Sequence, residues 1–285
     1  MNKQKVLEKS MEGVFLISAL MSVIAIIVIC IFMFINGVPF IFKYGISNFL
    51  LGTDWSPSNV PASYGILPMI LGSFAITLGA IIVGVPTGIF TAVFLTHFCP
   101  DWLYRFLKPA VSLMAAIPSI VYGFFGLQLL VPAMRIFGGN GMSILTASIL
   151  LGIMILPTVI TLSESSIRAV PSVYYNGSVA LGATHERTVM RVVLPAAKSG
   201  VISSIILGIG RAIGETMAVI LVAGNQPLIP RGLTKGVRTM TTNIVLEMAY
   251  AAGEHRDALI ATAVVLFIFI LIINGIFAYI KRRDR

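Results

Sequence analysis

The fold class this sequence predicts is all-α, a polytopic membrane protein with six transmembrane helices. Three observations predict it. The 285 residues are 57% hydrophobic and only 11% charged, with a mean hydropathy of +0.97, far outside the range of a soluble domain. The apolar residues gather into six runs, each long enough to cross a hydrocarbon layer of ~30 Å. One of those runs, Gly200 to Gly224, carries two full charges, Arg211 and Glu215, and an ionisable residue at membrane depth points to a protein interior or a watery path.

The first run, Val14 to Ile35, follows the tail M-N-K-Q-K-V-L-E-K. It is too long for a signal h-region and lacks a small-residue cleavage site, so it reads as a retained helix. The others lie at about Ile70 to Leu95, Pro109 to Val131, Ser143 to Ser163, Val201 to Gly224 and Ala258 to Ile280. An even number puts both termini on one side. Of the 20 basic residues, thirteen fall on that side (Lys3, Lys5 and Lys9; Arg105 and Lys108; Arg168, Arg187, Arg191 and Lys198; Lys281, Arg282, Arg283 and Arg285). Six fall opposite, which makes the terminal side cytoplasmic. Residues 1–63 then hold the tail, first helix and outer loop, and residues 64–285 the membrane core, with a cytoplasmic loop at about 164–200.

The outer loop from Asn36 to Met69 contains Trp55, Pro57, Pro61 and Tyr64, read as turns plus an interfacial aromatic belt. Gly84, Pro86 and Gly88 in the second run, and Pro118 and Gly123 in the third, predict kinks or close packing. Gly84 to Gly88 and Gly210 to Gly214 are small-residue spacings of the kind that let backbones approach. In the outer segment Asn225 to Asp257, Met240, Ile244, Leu246 and Met248 suggest a short interfacial helix. Arg231, Lys235 and Arg238 are candidates for steering an anionic solute to the outer mouth.

Composition excludes other classes. The net charge of +9 sits beside apolar runs rather than on a basic and aromatic face, so it suits anionic lipid and membrane topology, not nucleic acid. Cys30 and Cys99 do not form a disulfide framework, and His97 with Cys99 lacks the further ligands a metal needs. No nucleophile and base stand at a supporting spacing, and no G-x-x-x-x-G-K-[ST] phosphate loop occurs. The chain is not expected to be an enzyme, nor to bind a cofactor or metal.

A helix starting near Val201 places Arg211 about ten residues in, ~15 Å along its axis and near the bilayer midplane, with Glu215 one turn on and on the same face. The pair reads either as a substrate gate or as a structural salt bridge. Thr216 and Ser119 are candidate neutral donors beside it. On the cytoplasmic side, Glu164 to Gly200 is too long for a minimal connector. Pro171 suits a helix start, Gly182 a break, Thr184 an N-cap with Glu186 in the first turn, and Pro195 the next start. Two short helices joined at a glycine make a docking knob for a soluble partner.

The later half of this loop, Gly182 followed by Val192-x-Leu194-Pro195, resembles the end of the EAA loop of ABC-importer permeases. Where that family often has Glu-Ala-Ala, this chain has Asn176, Gly177 and Ser178. Three further stretches narrow the resemblance: I-P-S-I-V-Y-G-F-F-G-L from Ile117, L-G-A-T followed by V-V-L-P-A-A, and G-R-A-I-G-E-T-M-A-V from Gly210. Together they resemble the PstC-type permease of phosphate ABC importers, from about Tyr64 to the C-terminus. The resemblance implies a five-helix permease core plus an N-terminal helix in the cell membrane. It also implies three partners: a homologous PstA-type permease, a PstB-type ATPase dimer that uses the ATP, and an extracytoplasmic PstS-type phosphate-binding protein. Asn176, Gly177, Ser178, Gly182, Ala183, Thr184, His185, Glu186, Val192, Leu194 and Pro195 become candidate ATPase-coupling residues. A permease for sulfate or molybdate, a secondary transporter and a membrane scaffold stay open as alternatives.

Overall fold

The computed structural model describes residues 3–283. In chain order the helices are α1 (Lys3–Tyr44), α2 (Ile46–Leu51), α3 (Leu67–Val93), α4 (Asp101–Ala116), α5 (Ser119–Phe125), α6 (Val131–Met134), α7 (Ile144–Arg168), α8 (Ser172–Ala180), α9 (His185–Thr188), α10 (Leu194–Ala196), α11 (Lys198–Gly214), α12 (Met217–Val222), α13 (Met240–Glu247) and α14 (Glu254–Arg283). A small antiparallel hairpin, β1 (Trp55–Ser56) with β2 (Ser63–Tyr64), pairs Trp55 with Tyr64. Among the described residues, five helices are long and apolar enough to span a membrane. A sixth span exists only if the helical segments on either side of Ala197, bent by 70°, are counted as one. Two of the six runs thus form interrupted rather than continuous helices.

The third run breaks at Ile117 and Pro118, both in extended backbone (ψ 126 and 142). Proline clashes with a helical residue before it and has no N–H to give the carbonyl four residues back. The span therefore starts at Ser119 and reaches Phe137, and α4 is a separate helix. The orphaned acceptor is Met114 O, and the Tyr122 hydroxyl donates to it at 2.8 Å. The fifth run breaks at Glu215, which leaves the helix with ψ 132, followed by Thr216 at φ −123.

The centre of the bundle is α7, whose apolar window is 67% buried, against 33% or less in the other long helices. It packs along α3 through small residues. A Cβ on Gly84 would lie 2.6 Å from Gly152 O, one on Gly88 would lie 2.7 Å from Val159 Cγ1, and Gly79 abuts Ser148. The expected close packing at Gly84 and Gly88 is present. At Gly210 and Gly214 nothing lies within 4 Å, so the backbone approach in α11 is made instead by Gly200 against Ser166 and Gly208 against Val159. Buried Ser163 and Ser204 share a hydrogen bond of 2.7 Å across the same contact. Helix α1 stands at the periphery, touching α14 at Gly37 and exposing most of its apolar surface.

At the end that carries the hairpin, Trp55 and Tyr64 are only 5% exposed, inside a cluster with Phe40, Phe49, Met69, Met240 and Leu259. They are core residues, not an aromatic belt. The short helix expected near Met240 exists as α13, but the face it buries is largely polar, namely Thr241, Thr242, Asn243 and Glu247. Glu247 is held there by Trp55 Nε1 (2.9 Å), His255 Nε2 (2.8 Å) and Arg238 Nη1 (2.5 Å). A buried polar face is stable only when its hydrogen bonds are supplied from inside the protein.

Candidate functional site in the broken helix and the projecting knob

Arg211 lies in the last turn of α11, where the helix dipole favours a cation. Its Nη1 donates to Thr158 Oγ1 at 3.3 Å, and Thr158 sits near the middle of α7. The pairing expected from the sequence is not formed. Helical spacing would bring Glu215 onto the face of Arg211, but the break turns its backbone away, and no ion pair joins the two among the described residues. Glu215 instead accepts from Ala218 N at 3.1 Å, and its own carbonyl accepts from Thr241 Oγ1 at 3.0 Å. The carboxylate therefore covers the start of α12, while α13 holds the break from the other side. Thr216 donates back to Gly214 O at 3.3 Å. Ser119 opens α5 after the Pro118 break and makes no hydrogen bond to Arg211.

Helix α12 packs on α5 at glycine, where a Cβ on Gly123 would lie 2.8 Å from Ala218 Cα. Non-helical backbone at membrane depth survives only where protein or a watery path satisfies it. Two broken helices, a guanidinium whose sole hydrogen-bonded side chain among the described residues is a threonine, and free space beside Gly210 and Gly214 meet these terms. Thr158 and Tyr122 are the residues that sequence reasoning missed. Tyr122 had a signal, since it stands four residues after Pro118, where a hydroxyl reaches the carbonyl that the proline abandons. Thr158 had none, because its contact spans 53 positions.

The knob follows its sequence closely. Pro171 precedes α8, Gly182 adopts φ +85, a region open to glycine without strain, and the Thr184 side chain caps α9 by accepting from Arg187 N. Asn176, Gly177, Gly182, Thr184, Glu186 and Pro195 are exposed, whereas Ser178, Ala183, His185, Val192 and Leu194 are half-buried. Ser178 and His185 bond inside the knob, to Thr188 Oγ1 (2.9 Å) and Tyr175 Oη (2.7 Å). The outermost apolar group was not foreseen: Leu181 is 91% exposed, beside Val173 at 75% and Tyr174 at 54%.

At the opposite end Arg231 and Lys235 line a cavity of about 340 Å³ with Thr53 and Gln226. Arg238 does not join them. It is committed to Glu247, Asn243 Oδ1 and Asn225 O, so its charge is paired within the fold and not presented to that cavity. Below the bundle, Glu164, 3% exposed, accepts from Tyr104 Oη (2.8 Å), Lys108 Nζ (2.6 Å) and Arg168 Nε (3.1 Å). That network ties α4 to α7, and the Glu164 and Arg168 spacing of four was its only sequence trace.

Interrupted spans around a cation, with an exposed knob at one end, are the geometry of a membrane permease. The chain belongs to the family described as "Binding-protein-dependent transport system inner membrane component", which matches residues 84–285. It is 37% identical over 266 residues to the probable ABC transporter permease protein YqgH of Bacillus subtilis (strain 168), covering 90% of this chain and 86% of that protein. It is 34% identical over 250 residues to the phosphate transport system permease protein PstC of Pasteurella multocida (strain Pm70), covering 80% and 78%. The PstC of Haemophilus influenzae is 34% identical over 272 residues, covering 88% and 85%. The fold is shared with a bacterial ABC transporter importing the acidic polysaccharide alginate (TM-score 0.65, 14% identity, 98% of this chain and 99% of that one). It is shared also with the inward-facing MetNI methionine ABC transporter (TM-score 0.63, 20% identity, 77% and 96%).

Proposed function

We propose that this chain is the permease subunit of an ATP-driven importer that carries inorganic phosphate across the cell membrane into the cytoplasm. ATP is bound and hydrolysed by a separate PstB-type ATPase dimer, a reading supported by the family of the chain and in keeping with a sequence that carries no phosphate-loop motif. A PstA-type permease completes the path, and a PstS-type binding protein delivers phosphate to the outer mouth, where Arg231 and Lys235 raise its local concentration. The similarity to PstC proteins supports the choice of phosphate over other oxyanions.

One observation carries the role of the path. Arg211 stands beside a helix break with a neutral hydroxyl, not a carboxylate, as its partner. A cation at membrane depth needs a compensating charge, and a phosphate mono- or dianion supplies it in passing, with guanidinium geometry suited to two oxygens at once. Thr158 aims the guanidinium, Ser119 stands at one break as a neutral donor, and Thr216 at the other donates to solute by exchanging its bond to Gly214 O. At the other end, the exposed Leu181, Val173 and Tyr174, with Asn176, Gly177, Gly182, Thr184, Glu186 and Pro195 around them, offer a surface for the ATPase. Ser178, Ala183, His185, Val192 and Leu194 hold that surface in shape from beneath.

The test is ATP-dependent uptake in vesicles holding the whole complex, with phosphate, arsenate and sulfate compared. Arg211→Lys is expected to lower phosphate uptake at least about tenfold at matched membrane levels, the scale of a lost bidentate charged contact. Normal uptake in both Arg211→Lys and Arg211→Gln would overturn the path role, and faster uptake of sulfate than of phosphate would overturn the substrate.

A further inference from the structure

The knob is joined covalently to α7 through Ala169 to Pro171 and to α11 through Ala197, but it has no covalent link to α3. Its contact with α3 has an apolar part, Val189, Val193 and Ala197 packed with Ala92 and Val93, and a directional polar part made of a chain of three groups. His185 Nε2 lies 3.0 Å from the carbonyl oxygen of His97, and His185 Nδ1 lies 2.7 Å from Tyr175 Oη. A carbonyl only accepts, so Nε2 carries the proton. In the tautomer that carries its proton on Nε2, Nδ1 is bare and accepts from the Tyr175 hydroxyl. Both imidazole nitrogens are thereby used, one toward α8 and one toward the π-helical turn Phe94–Phe98 that ends α3.

Ring packing reinforces the chain. The His97 ring is stacked on Tyr175 (centroids 6.0 Å apart, 12° between planes), and Phe98 meets His185 edge-on at 4.9 Å. A second strap, Ser178 Oγ to Thr188 Oγ1 at 2.9 Å, ties α8 to α9, so the knob moves as one piece. From Phe98 the path continues along α3, whose glycines lock it against α7.

We infer that Tyr175, His185 and the His97 backbone carbonyl form a clasp through which displacement of the knob is passed to α3. They are positioning residues, acting on the path through α3 without touching solute. The inference rests on the reading of the knob as the ATPase-docking element. Without the clasp, a knob pushed by its partner keeps its covalent links to α7 and α11 but holds α3 only through non-directional apolar packing on Ala92 and Val93, so less of its displacement reaches α3.

The experiment uses the assembled complex in vesicles, with phosphate uptake and ATP hydrolysis measured in the same preparations. Tyr175→Phe removes one hydroxyl and keeps the ring stack, while His185→Gln keeps a donor for the His97 carbonyl and loses the acceptor for Tyr175. In Tyr175→Phe the ATPase is expected to co-purify as before and hydrolysis to persist. For His185→Gln, whose ring also supports the docking surface, uptake is read only per ATP hydrolysed by the ATPase that co-purifies. Phosphate moved per ATP should fall about fivefold, the scale of one net hydrogen bond. The double variant should fall no further, because both changes cut the same chain. An unchanged ratio in both single variants, or a double variant showing the product of the two losses, overturns the clasp. A wild-type complex that holds no ATPase or shows no ATP-dependent uptake defeats the importer reading itself, and the clasp falls with it.

Discussion

Glu164, on α7, and Arg211, set against α7, are both charged groups, and they are treated in opposite ways. Glu164 is closed in by a tyrosine, a lysine and an arginine, all within 3.1 Å. Glu247, at the far end, is closed in likewise by a tryptophan, an arginine and a histidine. Arg211 has one threonine at 3.3 Å. A charge kept for architecture is given every partner it can use, because an unpaired buried charge costs more than its pair returns. The open valence at Arg211 fits a charge whose partner comes and goes.

The sharpest way to break this comparison is to remove the carboxylate from the closed network. Glu164→Ala leaves Lys108 and Arg168 facing each other with no anion between them. Both cations are partly exposed, 29% and 48%, so solvent screens them and the cost is about 1.5–3 kcal/mol, the scale of lost hydrogen bonds to a charged group. The expected result is a large drop in the unfolding midpoint of the purified subunit and in its membrane level. Arg211→Gln, in contrast, is expected to leave the midpoint near that of the wild type, since it deletes a charge that the fold does not use. Equal destabilisation by the two would show that Arg211 is structural as well.

Much of this could be read from the sequence, and the failures share one cause. The knob was legible because proline, glycine, threonine caps and exposed turns act through bonds within a few residues. The two breaks were not. At Pro118 the proline was visible, but the sequence did not tell whether α4 and α5 would bend or separate. At Glu215 no proline intervenes, and the helix ends because Ala218 N–H and Thr241, 26 positions away, take the Glu215 carboxylate and carbonyl. The same distance in sequence hid the burial of Trp55, which depends on Glu247, 192 positions on. Arg238 looked like a solvated loop cation for a different reason: its partners are only 5, 9 and 13 positions away, but an irregular segment carries no periodicity that announces such contacts.

Thr158 offers a finer probe of the contrast. In Thr158→Val the shape is nearly kept and the acceptor for Arg211 Nη1 is lost, leaving the guanidinium free to swing. If the hydroxyl aims the cation toward the path, phosphate uptake should fall about fivefold, the scale of one net hydrogen bond. Assembly and thermal midpoint should not change. A drop in the midpoint without a drop in uptake per assembled complex would move Thr158 to the class of Glu164.

The smallest expected effect is the most discriminating for Glu215. Were this carboxylate the partner that phosphate displaces from Arg211, neutralising it would change uptake strongly, because the resting state would lose its counter-ion. Its observed contact needs only an oxygen acceptor for Ala218 N, and an amide oxygen serves that purpose. Glu215→Gln is therefore expected to keep phosphate uptake within about twofold of wild type, while Glu215→Ala, which removes the cap, should cost the subunit about 1 kcal/mol in unfolding free energy. A strong loss in Glu215→Gln with an unchanged midpoint would show that Glu215 reaches Arg211 at another point in the transport cycle, and the break between α11 and α12 would then be the hinge that brings them together.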